Sequence, residues 1–331
     1  MSSPGSHRSG SPNATSHAAA SEPVSQESTG PHFSPLISPA IRRAPRAAAG
    51  SGLTGASVAA RVWSVVRWEW SAFFRRPVGY LLLLTAVAVS AWSFAWLVTL
   101  IARGGGTALR QADDPIVQFL GPNIFIIGFC TLIAPLLTMN LVADERRRGT
   151  FESLLTTPLS TGEALAGKFI ATWGLFLASL SPWLFHLLVL RLWSGGTRLL
   201  WGVIPVPSGA GIPFDSGILL GGSIGLAMLA GTLTSVGLLC SSGCRRPFAA
   251  ALLTLSVLLG LLVMGILPRV LELWGFPRDR AQWIEALSPW NQLDQFSRGK
   301  LLPRVVIGHV SSWLVLIGIA ARISRRVDDG G

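Results

Sequence analysis

The chain has 331 residues, half of them hydrophobic and only 13% charged, with 13 tryptophans and 36 glycines. That balance and the positive mean hydropathy exclude an ordinary soluble domain and place the chain with integral membrane proteins. The net charge of +11 comes almost entirely from arginines scattered between apolar runs, which fits membrane orientation and not a nucleic-acid surface.

Residues 1–60 are rich in Ser, Pro, Ala and Gly, contain six charged residues and show no apolar periodicity. Such a segment buries too little surface to offset the entropy of ordering and is expected to be a disordered extension or a misassigned upstream start; a functional arm is the alternative. It holds no apolar run suited to a cleavable signal peptide.

Residues 61–76, "RVWSVVRWEWSAFFRR", read as an amphipathic helix. Val62, Trp63, Val66, Trp70, Phe73 and Phe74 share an arc of roughly 120°, with Arg61, Ser64, Arg67, Ser71 and Arg75 opposite. Trp68 falls on the polar side and breaks the pattern. Aromatics facing arginines describe a helix lying in the membrane interface, bounded by residue 78, with Pro77 and Gly79 bending the chain into the first span. A cytosolic helix packed on a partner is the alternative.

Charge-free runs then locate six spans at residues 80–101, 119–142, 169–190, within 216–244, 247–267 and 305–321, each near the length a helix needs to cross the hydrocarbon core. The sixth is the shortest and carries His309. Arginines and Lys168 in the short flanking loops concentrate on the side that includes residues 61–76, 146–148, 245–246 and 322–326, so both termini are expected in the cytoplasm, with residues 327–331 a short tail. The expected fold class is an all-α integral membrane protein.

Between spans two and three lies "DERRRGTFESLLTTPLS", residues 144–160. Gly149 and Thr150 suit a helix stop and a new cap. Phe151, Leu154 and Leu155 form a narrow apolar stripe that Pro158 ends, and Ser160 with Glu163 forms an S-x-x-E capping box opening the next helix. Positive-inside flanking explains the arginines; it does not explain Asp144, Glu145 and Glu152, or the stripe. A short cytoplasmic helix with a sticky stripe and a charged collar is shaped to meet another protein.

The block "NLVADERRRGTFESLLTTPLSTGEALAGKFIA", residues 140–171, resembles the signature of type 2 ABC exporter permeases (the ABC-2 type). Its matching positions are Glu145, Arg146, Gly149, Thr150, Leu154, Leu155, Pro158, Gly167 and Lys168. The nearest likeness is to gliding-motility and nitrous-oxide-reductase-maturation permeases, which tend to begin with an F-R-x-P run, as Phe74, Arg75 and Pro77 do here, and to carry an F-x-x-G segment before the last span, as in Phe296 to Gly299. The resemblance covers residues 61–326 in patches.

This resemblance implies a permease that binds no cofactor itself and leaves ATP to a separate ATP-binding cassette subunit. It also implies a second permease copy or paralogue, and residence among the lipids of a bacterial inner membrane. No G-x-x-x-x-G-K-[ST] loop occurs in the sequence. By analogy Asp144, Glu145 and Arg146 would steer and pair with the ATPase, and Phe151, Leu154 and Leu155 would fill its groove. The family also places short helices between its last two spans. Here residues 268–304, with Trp283, Ile284 and Leu287 at helical spacing, are expected as interfacial helices on the outer face.

Other features carry weaker expectations. Cys130, Cys240 and Cys244 are an odd number, and "CSSGC" lacks metal-ligand spacing. His186 and His309 fall within spans, where polar groups are costly and often functional. Gly217, Gly221 and Gly225 recur every four residues and would let another helix approach closely, in the chain or at a dimer seam. Two rival classes remain: a non-transporting motility or assembly component, and, remotely, an intramembrane hydrolase using Ser223 and His309.

Overall fold

A computed structural model describes residues 57–111, 115–147, 160–193, 216–275 and 284–329, and the expectation for residues 1–56 lies outside these. The described residues form helices and the turns between them, with no strand among them. The helices are α1 (Val58–Arg75), α2 (Pro77–Gln111), α3 (Pro115–Leu120), α4 (Ile124–Thr138) and α5 (Ala143–Arg147). After residues 148–159 come α6 (Thr161–Trp193), α7 (Ser216–Gly243), α8 (Pro247–Leu273), α9 (Pro289–Ser297) and α10 (Pro303–Asp329). Five of them open on a proline, whose fixed φ and missing N–H suit a first helical turn.

Among the described residues six segments are long and apolar enough to cross a membrane: Pro77–Thr99, Ile116–Arg147, Thr161–Val189, Gly217–Gly243, Pro247–Leu273 and Pro303–Arg325. They correspond to the six spans expected, the first and third ending two residues and one residue earlier, and include the last one with its histidine. The second is not one helix but three. Gly121 to Asn123 interrupt it near one end, where Asn123 caps α4 by accepting from the Phe125 and Ile126 amides at 3.0 and 2.9 Å, while its side-chain amide donates to the Gln118 and Phe119 carbonyls. The other interruption, at Met139 to Val142, sets off α5. At the end of the chain α10 continues through Asp329, so most of the expected short tail is helical.

Packing is centred on α7, 61% of whose apolar window is buried, against 22% for α8 and 17% for α10. The main core joins α4, α6, α7 and α9 through Phe129, Phe176, Trp183, Leu229, Leu233 and Trp290. A second cluster, nearer α5, gathers Leu141, Phe169, Leu238 and Trp313. The Trp313 ring lies 5.4 Å from Trp173 and so close to Gly231 that a Cβ there would meet it at 2.3 Å. On α2, α8 and α10, side chains such as Trp92, Phe248, Val263, Ile307 and Leu314 are exposed, an outer surface suited to lipid.

α1 departs from its wheel. It runs alongside the first turns of α6, and its covered side is Val62, Val65, Val66, Glu69, Ala72 and Phe73. Trp63, Trp70 and Phe74 flank that side along one edge and Trp68 along the other, so Trp68 is no irregularity but the opposite border of the same face. The apolar arc was centred too far to one side because packing follows the neighbouring helix, which offers small residues where the chains meet. A Cβ on Gly167 would meet Val65 at 2.8 Å, and one on Gly174 would meet the Trp70 ring at 2.8 Å. The helix stops at Arg75, and Arg76 is extended, as a residue preceding proline prefers.

The segment between the last two spans agrees with expectation in part: residues 284–287, with Ile284 and Leu287, are helical and Leu287 is exposed. Residues 276–283, including Trp283, lie outside the described residues, but α9 is packed into the bundle by buried Pro289, Trp290, Leu293 and Phe296 and does not lie on its surface. Its end is a Schellman motif: the Gly299 amide donates to Phe296 O at 2.9 Å and the Lys300 amide to Gln295 O at 3.0 Å, with Gly299 at φ 74°. This end rests on the glycine stripe of α7. A Cβ on Gly221 would meet the Phe296 carbonyl oxygen at 2.5 Å and Gly299 Cα at 2.9 Å, one on Gly225 would meet Phe296 Cβ at 2.5 Å, and one on Gly299 would meet the Gly217 backbone at 3.5 Å. The stripe is therefore occupied from within the chain, not open as a dimer seam, and its occupant is the F-x-x-G segment.

Candidate functional site: a charged clamp around α5

α5, Ala143-Asp-Glu-Arg-Arg147, is too short to be stable alone, although its acids stand in the first turn and its arginines in the last, as the helix dipole favours. Tertiary contacts hold it. Ser241 Oγ, from the end of α7, accepts from the Val142 and Ala143 amides at 3.2 and 3.3 Å and satisfies donors that would otherwise be orphaned. The Arg146 guanidinium donates to the Ser242 carbonyl of α7 and, at 3.3 Å, to the Ser324 carbonyl of α10. A cation at the last turn of α7 is favoured by the dipole of that helix as well.

Glu145 points the other way. Its Oε1 accepts from Lys168 Nζ on α6 at 2.6 Å, and the same ammonium donates to Glu69 Oε1 on α1 at 2.7 Å. Lys168 is only 3% exposed, and its ammonium also lies 6.0 Å from the Trp68 ring. A buried ammonium is tolerated only when paired and hydrogen-bonded, and two carboxylates meet both requirements. The neighbouring Gly167 makes the pairing possible, since it admits α1 close enough for Glu69 to reach. Gly-Lys at this place thus means a close approach followed by an ionic latch.

One turn earlier a second latch joins the same helices. Glu163 Oε1 accepts from Arg61 at 2.7 Å, while Oε2 accepts from the Ser160 amide at 3.0 Å and Ser160 Oγ accepts from the Glu163 amide at 3.2 Å. This is the reciprocal capping box expected at the start of α6. Residues 148–159 therefore leave α5 and enter α6 at two points tied together by Glu145 and Lys168.

Of the residues expected to meet an ATPase, Glu145 and Arg146 are engaged inside the bundle, Asp144 pairs with Arg147 at 3.5 Å, and Arg147 is largely exposed. Gly149, Thr150, Phe151, Leu154, Leu155 and Pro158 lie outside the described residues. Within the chain Glu145 and Arg146 fasten α5 to α6, α7 and α10, and through Lys168 to Glu69 of α1. Sequence reasoning missed Glu69, Ser241 and Ser242. Glu69 had a signal, being the one acid in residues 61–76 and lying on the apolar side of the wheel. The serines had none, because a hydroxyl and a carbonyl acting as caps are indistinguishable in sequence from ordinary helix-end residues.

The other candidates resolve into structure. His309 Nδ1 lies 2.7 Å from Thr232 Oγ1, which also accepts from Trp313 Nε1 at 3.0 Å. Ser223 donates to Leu219 O on its own helix, nine residues before Thr232, or about 13 Å along α7. Ser223 and His309 thus do not form a nucleophile-base pair. His186 bonds the Pro182 carbonyl at 2.6 Å and packs on Phe94. No group of three or more potential metal ligands occurs among the described residues.

Residues 106–289, more than half of the chain, match the family described as ABC-2 family transporter protein. The chain belongs to that family and is a multi-pass membrane component of the ABC transporter class. A search of curated proteins finds no match.

Proposed function

We propose that this chain is the transmembrane permease of an ABC exporter of a bacterial inner membrane, driven by a separate ATPase that docks on residues 148–159. The chain itself binds no nucleotide, and a second permease copy or paralogue completes the assembly. The observation that carries the reading is the fastening of α5: a five-residue helix at the entrance to that connection is tied to α1, α6, α7 and α10. A load applied by a partner to residues 148–159 is then delivered to four helices at once, which is what conversion of ATP-driven closure into a change of the transmembrane bundle requires. The apolar stripe Phe151, Leu154 and Leu155 supplies the docking contact, and the end of the bundle that carries α5 faces the cytoplasm, in keeping with its arginines.

The test is purification of the tagged chain in mild detergent from its native host, with identification of co-eluting proteins. Wild type is expected to retain a soluble ATPase with a phosphate-binding loop. Leu154→Asp is expected to lose it while the permease itself stays monodisperse and keeps its thermal midpoint measured without the ATPase. Absence of such an ATPase from wild type, or its retention by Leu154→Asp, would sink the reading.

A further inference from the structure

Beside α5 the structure holds two adjoining cavities of opposite character. The first, about 660 Å³, is lined by Arg76, Arg147, Arg245 and Arg246, with Asp144 the one acidic residue among its lining. It includes the start of α8, where Arg246 stands at the N-cap, no side chain caps the helix, and Pro247 and Phe248 form the first turn. An uncapped helix start adds backbone N–H donors and a positive dipole to the four arginines. The second cavity, about 520 Å³, is a largely apolar cleft lined by Val78, Leu82, Leu136, Leu137, Leu141 and Leu175, with Lys168, Glu69 and Glu145 also in its wall. The two share Arg76, Asn140 and Asp144.

We infer that these cavities form one binding site for an anionic phospholipid, its phosphate held by the four arginines and one acyl chain laid in the cleft between α2, α4 and α6. Charge selects the headgroup: four guanidinium groups against one carboxylate favour a phosphate, and each basic residue near a bilayer surface strengthens attraction to anionic lipid. The cleft selects an amphiphile over a soluble anion, because a free phosphate makes no use of a leucine-lined cavity opening from the same arginine. The surroundings agree. Phe248, Leu252, Tyr80 and Leu81, on the helices that begin at this rim, are exposed apolar side chains of the kind that face lipid. The occupant would rest against the Lys168 cluster that positions α5, so its presence would bear directly on that segment. The inference concerns lipid retention and holds whether or not an ATPase docks here.

The experiment is native mass spectrometry of the full chain in mixed micelles with dioleoylphosphatidylglycerol or dioleoylphosphatidylcholine, comparing wild type, Arg245→Gln with Arg246→Gln, and Leu136→Trp. Both arginines are exposed and lie in the turn between α7 and α8, and Leu136 is partly exposed, so the variants leave the core intact. Wild type is expected to retain one phosphatidylglycerol in preference to phosphatidylcholine. The double glutamine variant should lose about thirtyfold in retention, and Leu136→Trp, which fills the cleft and keeps every charge, should also lose it. Equal retention of both lipids, or phosphatidylglycerol retention unchanged in either variant, overturns the site. Displacement of the lipid by inorganic phosphate with no effect of Leu136→Trp also overturns it and leaves a soluble-anion pocket. So does loss of a co-eluting protein from the glutamine variant with lipid retention intact, which would make the arginines a protein contact.

Discussion

The two ends of the bundle are held by different physics. At the end that carries α5, helices are joined by charge: Lys168 between Glu69 and Glu145, Arg61 with Glu163, and Arg146 on two helix-end carbonyls. At the other end, α9 sits on α7 by close fit, with glycines at 221 and 225 removing the atoms that would keep the backbones apart. Ionic latches are directional and can be loaded or released, whereas close-packed backbones resist displacement. Under the proposed function, work enters at the end joined by charge, while the close-packed α9 end resists displacement.

The largest test of this contrast is Lys168→Met. It leaves two carboxylates buried without their cation, and breaking a buried ion cluster in this way costs about 3–5 kcal/mol. The detergent-solubilised protein should lose on the order of 10 °C in thermal midpoint. Adding Glu69→Gln and Glu145→Gln to Lys168→Met should restore most of the loss, because neutral groups no longer require a counter-ion. A single variant as stable as wild type would remove the latch from the account.

At the opposite end Gly221→Ala comes next in size. The obstacle is the backbone of Phe296 and Gly299, which cannot turn aside as a side chain could, so overpacking of about 1–3 kcal/mol is expected. It should appear as a lowered thermal midpoint together with faster proteolysis near residues 289–299. Loss of oligomeric state with unchanged protomer stability would show instead that the stripe serves an interface between copies.

Much of this was readable beforehand, and the pattern of success follows the physics. Spans were legible because length and apolarity are one-dimensional properties, and the capping box because its partners are three residues apart. The packed glycine stripe was legible as a stripe but not as the seat of α9, since a four-residue spacing states that something comes close and not what. The direction of Glu145 and Arg146 was not legible at all. A charged run beside a docking stripe reads as a collar for a partner, and only the fold shows that Lys168, 23 residues on, and Ser242, 96 residues on, draw those side chains inward.

The smallest effect belongs to glycines that touch nothing. Gly260 on α8 and Gly308 on α10 face outward, and a Cβ at either position meets no atom within 4 Å. Alanine at these sites removes a helix-propensity penalty of at most about 1 kcal/mol, so Gly260→Ala and Gly308→Ala should be neutral or slightly stabilising in a thermal scan. Their value lies in what else they could report. With the stripe at 221 and 225 filled from within the chain, the second permease copy of the proposed assembly would meet some other surface, and exposed glycines on the least buried helices are where a second backbone could approach most closely. A chain that remains dimeric by native mass spectrometry in both variants places the seam elsewhere; one that becomes monomeric through an added methyl group locates it on α8 or α10.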